Sequence, residues 1–170
     1  MSEATGGEDW MQAIEARLQL LEDEVAIRRL LSSYGPAVDS GNSGAGADLY
    51  ADDGIFDYST FVDDRSQELY LDKRGIFDML EHGQHQTFIH EGAAHTLGPA
   101  IIDISGDTAV ATNYSVILRR IGMSITVYRM SANRWDLVRT SKGWRFTKRT
   151  TRMLDGSADA RELLGRAIAD

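Results

Sequence analysis

The sequence predicts an α+β domain. Three observations carry that prediction. Apolar residues recur at helical spacing from Trp10 through Ile14, Leu18, Leu21 and Val25 to Leu30, Leu31 and Tyr34. After Thr87 the period shifts towards two, over long strand-like runs. Short turns containing glycine, Ser105-Gly106-Asp107 and Ser141-Lys142-Gly143, join these runs in pairs, as in an antiparallel meander.

Taken in order, residues 1–9 are small, polar and acidic and read as a disordered tail. Residues 10–156 form the main domain, and residues 157–170 a C-terminal helix. The first apolar stripe predicts one long helix or two nearly collinear ones. Pro36, which has no amide donor, is expected to kink or end it. Ser40–Gly46 (SGNSGAG) is a flexible turn. It lacks the Lys-Ser/Thr ending of a phosphate-binding loop, so nucleotide binding is not expected. Ala47–Ala51 suits a short helix, Gly54–Ser59 a first strand, and the polar residues 60–72 a loop. Lys73–His82 predicts a helix with Ile76, Phe77 and Leu80 inward. The remaining strands are His95–Ile104, Thr108–Ile121, Ser124–Val138 and Trp144–Leu154. Ser157 is placed to cap a last helix, Ala158–Ala169.

Bulk properties narrow the partners. A chain of 170 residues can bury a sizeable core as one domain. Its net charge of −8 argues against a nucleic-acid surface and against attraction to an anionic membrane. No apolar run is long enough to span a bilayer, and the N-terminus has neither the basic nor the apolar region of a signal peptide. The chain has no cysteine, which removes disulfides, a thiol nucleophile and cysteine metal sites. A cytoplasmic location is expected.

Four segments in order, AIRRLLSSYGPAVDSG, LYADDGIFDY, AAHTLGPAIIDISGDTAVATNYSV and GWRFTKRTTR, resemble the SnoaL-like branch of the nuclear-transport-factor-2-like superfamily over roughly residues 20–154. The resemblance implies a cone-shaped, curved antiparallel sheet wrapped by N-terminal helices around a deep apolar pocket. It also implies a homo-oligomer, dimer or trimer, formed through the outer sheet face. Within the branch the chain looks most like scytalone dehydratase, bile-acid 7α-dehydratase and hexachlorocyclohexane dehydrochlorinase, which share an Asp–His pair. Asp39 and His95 match that pair. Tyr34 matches a helix tyrosine, Tyr58 falls where the dehydratases place a strand tyrosine, and Arg152 stands near a pocket arginine of the last strand. The bile-acid enzyme has an acidic residue on the strand that here carries Asn113, Ser115 and Leu118, so its substrate does not transfer.

These residue types have a coherent chemistry. A neutral imidazole can remove a proton beside a carbonyl, with a carboxylate fixing its tautomer. Tyr34 and Tyr58 could donate to an oxygen that gains charge. Asn113 and Arg152 are the candidate substrate-binding residues. Each has a plainer alternative: His95 as a sheet histidine, Asp39 as a turn residue, the tyrosines as core. Strict alternation along the last strand places Arg145, Arg149 and Thr151 on one face and Phe146, Lys148 and Arg152 on the other. His82, His85 and His90 read as an exposed polar helix end and loop edging the pocket mouth, without metal-ligand geometry. The expected activity is therefore a lyase that uses no cofactor and no metal and eliminates water or another leaving group from a hydrophobic cyclic small molecule. The rivals are an isomerase working by proton transfer, and a non-catalytic binding or assembly module like the β-subunits of ring-hydroxylating dioxygenases.

Overall fold

The computed structural model describes residues 3–61 and 70–169, with side chains from residue 9 onward except at residue 61. Helix α1 runs Glu3–Asp39, and a short helix α2 spans Ser43–Ala47. Strand β1 is Tyr50–Asp57, followed by a single 3₁₀ turn, Ser59–Phe61. Beyond residues 62–69 come β2 (Tyr70–Asp72), α3 (Lys73–Glu81) and α4 (Gly83–His90). The meander follows as β3 (Ala93–Leu97), β4 (Ile101–Ser105), β5 (Thr108–Ile121), β6 (Ser124–Thr140) and β7 (Gly143–Met153). Helix α5 is Ala158–Arg166.

The α+β class holds, with informative differences. Helix α1 begins at Glu3, within the stretch read as a tail, and Pro36 does not end it. The last turn closes through Ser40 N–H to the Pro36 carbonyl at 3.1 Å, and contacts to β3 hold it in place. The short helix comes before Asp48 rather than after it, because Asn42 caps it through the Ala45 amide. Residues 70–72 pair with β1 as an edge strand; the central part of the expected loop lies outside the described residues. The run His95–Ile104 is two strands, broken at Gly98-Pro99. The histidine-rich segment forms α4, with His82 as its cap. Ser157 occupies the N-cap position of α5, but its hydroxyl makes no cap hydrogen bond.

The strands form one sheet in the order β2-β1-β7-β6-β5-β3, and β4 also pairs with β5. Every pairing is antiparallel except β1 with β7, which is parallel. One face meets α1 and α3. Ile27, Leu30, Leu31, Tyr34 and Val38 of α1 are buried with Trp135, Leu137, Trp144 and Phe146 of the sheet. Helix α5 packs on the opposite face, around Ala132, Ala160 and Leu163. Asp23 anchors the exit of α1 from the core. It pairs with Arg139 and accepts the Trp144 indole N–H at 3.0 Å, and the Arg139 guanidinium draws its carboxyl down to about 2.

Two irregularities shape the inner face. In β7, Thr147 has no partner between the Asp136–Lys148 and Leu137–Phe146 pairs, so the strand bulges there. In β6, Tyr128 is skipped in the same way opposite Ile117 and Leu118. A bulge shifts the side-chain period by one, so Trp144, Phe146, Arg149 and Thr151 are all buried on one face. This corrects the strict alternation expected from sequence, which grouped Arg149 with Arg145.

Helix α1 and strand β3 approach unusually closely at Gly35. A Cβ placed there would lie 2.2 Å from the His95 carbonyl oxygen, an impossible contact with rigid backbone. Glycine lets the helix end descend onto the strand, which brings Asp39 alongside His95. Gly35→Ala should push the two apart. We expect a clear fall in melting temperature, of about 2 kcal/mol or more in stability, and a larger loss of any activity that depends on the pair. Thermal melts alongside turnover would check both.

Candidate active site

Asp39 is the last residue of α1, and His95 is the middle residue of β3. One Asp39 oxygen lies 2.6 Å from His95 Nδ1, and the other accepts the His95 backbone N–H at 2.8 Å. The carboxylate therefore grips both the ring and the strand. Since a carboxylate only accepts, Nδ1 carries the proton, and Nε2 of the neutral ring keeps a free lone pair. Both side chains are mostly buried.

His95 stands in the wall between two cavities. The inner one, of about 250 Å³, is also lined by Tyr34, Tyr58, Arg149 and Ser131. The outer one, of about 600 Å³, opens beside α4 and is lined by Phe88, Arg119 and Tyr128. The two share His85, His95, Ile117 and Arg129. The inner space is smaller than a typical drug-sized site and suits a compact ring or fused pair of rings.

The sequence-derived candidates divide. His95, Asp39, Tyr34 and Tyr58 come together as expected, the first two in contact and both tyrosines lining the inner cavity. Among the described residues the Tyr58 hydroxyl has no hydrogen-bond partner, while its ring lies 6.0 Å from Phe56. Asn113 and Arg152 do not line this cavity. Asn113 is buried in the sheet, donating to the Gly98 carbonyl at 3.1 Å and accepting from the Trp135 indole at 3.0 Å. Arg152 is on the outer face, paired through both terminal nitrogens with Asp57 at 3.1 and 3.0 Å. The Thr147 bulge explains the exchange: the arginine turned into the cavity is Arg149.

Arg149 is the most unusual group in the site. It is 7% exposed and has no carboxylate at ion-pair distance among the described residues. Its Nε and one terminal nitrogen donate to Asn133 Oδ1 at 3.2 and 3.0 Å, and the other terminal nitrogen donates to the Tyr34 hydroxyl. The guanidinium stacks between the rings of Tyr34, Trp135 and Phe56, at 4.6 to 4.8 Å. Asn133 is fixed in turn by Thr151 at 2.9 Å and by its own donation to Ser115 at 2.8 Å. A buried cation without a counter-charge favours negative charge on whatever occupies the adjacent cavity.

His85 is the second functional group the sequence left out. Its Nδ1 donates to the Leu80 carbonyl at 3.1 Å, and its ring lies 6.0 Å from that of His95. Burial depresses its pKa, so it is neutral near pH 7 and also keeps Nε2 free. The helical spacing of Gln84, His85 and Phe88 was the available signal, hidden by the reading of this segment as loop. The lining of the inner cavity is mostly apolar, as the resemblance implies, with Ser115, Ser131 and Thr151 added to the expected polar groups.

A helix-wrapped, bulged sheet enclosing a carboxylate–imidazole pair defines a pocket protein of the cystatin-like, nuclear-transport-factor-2-like class. Residues 19–150 match the SnoaL-like domain model, and the chain belongs to that family. It is 39% identical to a nuclear-transport-factor-2-like protein with a cystatin-like fold from Novosphingobium aromaticivorans, over 89% of this chain and 94% of that one, with a TM-score of 0.81. A provisionally named aromatic ring hydroxylase from the same organism shares 24% identity over 79% of this chain and 90% of its own, at a TM-score of 0.63. A provisionally named scytalone dehydratase, also from that organism, shares 18% over 78% and 85%, at 0.64. At those lower identities the likeness concerns the fold. No match was found among curated proteins.

Proposed function

We propose that this protein is a cofactor-independent lyase that eliminates water from a compact, largely hydrophobic cyclic substrate carrying a carbonyl or phenol-type oxygen. The observation that carries the reading is the Asp39–His95 pair, with its free Nε2, beside a buried Arg149 without a counter-charge among the described residues. His95 Nε2 takes a proton from the carbon next to the carbonyl. The C–H electron pair moves onto the substrate oxygen as an enolate, whose charge faces Arg149 and the tyrosine hydroxyls. As the enolate collapses, the C=C bond forms and the C–O bond to the leaving hydroxyl breaks. The imidazolium returns its proton to that hydroxyl, which departs as water, and His95 is neutral again. Asp39 holds the ring and stabilises the cation between the two steps.

His85 favours a second reading. A neutral imidazole 6.0 Å from the first can return the proton at a different carbon, which would make the enzyme an isomerase. Incubation of β-hydroxy cyclic ketones with the protein in D₂O, followed by mass spectrometry, separates the two. A loss of the mass of water supports the lyase. Deuterium gain without mass loss supports the isomerase. Tight binding with neither leaves a non-catalytic pocket.

A further inference from the structure

Helix α1 does more than close the cavity. From Asp9 to Glu22 every side chain is exposed, so more than three turns of helix stand away from the domain. A helix of that length gains little from its own hydrogen bonds in water and needs tertiary or quaternary packing. The exposed part nevertheless carries Met11, Ile14, Leu18, Leu21 and Val25, which are 40–65% exposed. Their spacing is 3, 4, 3, 4, the a/d pattern of a two-stranded seam. The residues that bind the helix to its own domain are Asp23, Ile27, Leu30, Leu31 and Tyr34. At 3.6 residues per turn the two sets point about 180° apart. The outer stripe therefore cannot be part of this chain's own core.

We propose that this stripe pairs with the same helix of a second copy, in parallel, forming a homodimer through a short coiled coil. Charge selects the partner and its direction. With Met11, Leu18 and Val25 at a, Arg17 falls at g and Glu22 at the following e, the two positions that face each other across a parallel pair. Two-fold symmetry makes that attraction twice. An antiparallel pair would instead set Glu15 against Glu22 and turn Arg17 towards Glu24, a carboxylate already engaged with Arg28 at 2.6 Å. The seam ends after Val25, where the next d position is Arg28, already engaged with Glu24 at 2.6 Å. This interface is separate from the outer sheet face and leaves both cavities open.

Sedimentation velocity on the full chain across a concentration series tests the proposal. The wild type should be a dimer that dissociates on dilution. Leu18→Glu with Leu21→Glu should weaken self-association on the order of 100-fold or more while the melting curve keeps its shape. Arg17→Glu should weaken it about three- to tenfold, and adding Glu22→Arg should restore it, since the swap rebuilds the pair in reverse. Residues 17 and 22 are five apart and do not meet within one helix, so rescue reports the contact between copies. A wild type that is monomeric throughout, a double-glutamate variant that remains dimeric, or a charge swap that fails to rescue would each overturn the proposal.

Discussion

His95→Ala is expected to lower kcat by about 10²–10⁴-fold on any substrate that the protein turns over, with the fold retained. Far-ultraviolet circular dichroism and a thermal melt check the fold, and turnover checks the chemistry. Asp39→Asn should be nearly as damaging, for a reason visible in the geometry. Asp39 accepts from both the His95 backbone N–H and Nδ1. An asparagine has one carbonyl oxygen. If that oxygen takes the backbone N–H, the amide nitrogen faces Nδ1 and forces it to accept. The ring proton then moves to Nε2, and the free base disappears. Tyr58→Phe should cost less, because it removes one donor and leaves proton transfer intact. Near-wild-type turnover by His95→Ala would place the base elsewhere, with His85 the next residue to test.

Arg149→Met should separate activity from stability. Its guanidinium is buried without a carboxylate partner among the described residues, so the folded protein bears a desolvation cost there. Methionine fills much of the same volume between Tyr34, Trp135 and Phe56 without a charge. The melting temperature should therefore hold or rise, by up to about 2 kcal/mol in stability. Turnover should fall by about 10²–10³-fold, the usual loss when a main stabiliser of developing negative charge is removed. A gain of stability with a loss of activity marks a group retained for function. A variant that melts much earlier with unchanged turnover would make Arg149 a structural residue. Arg152→Met, by contrast, should leave turnover largely unchanged, because Arg152 is tied to Asp57 on the other face of the sheet.

The chain by itself determined the α+β class and most of its elements, and its resemblance to the SnoaL-like branch pointed to the Asp–His pair. Helical and alternating periodicities come from local burial on one side of an element, and local burial is written directly in residue order. The limits of β5 follow from turns, at Ser105-Gly106-Asp107 and around Gly122, that are legible one residue at a time. What only tertiary structure decided depends on offsets that leave no periodic trace. One skipped residue at Thr147 turned Arg149 inward and Arg152 outward, and strict alternation predicts the reverse. Packing over β3 carried α1 past Pro36 as far as Asp39, and a glycine at residue 35 let the two backbones approach closely enough for one carboxylate to hold both a ring nitrogen and an amide. The outer half of α1 joins the two kinds of information. Its seam spacing is plain in the sequence, but only the fold shows that this face points away from the chain's own core.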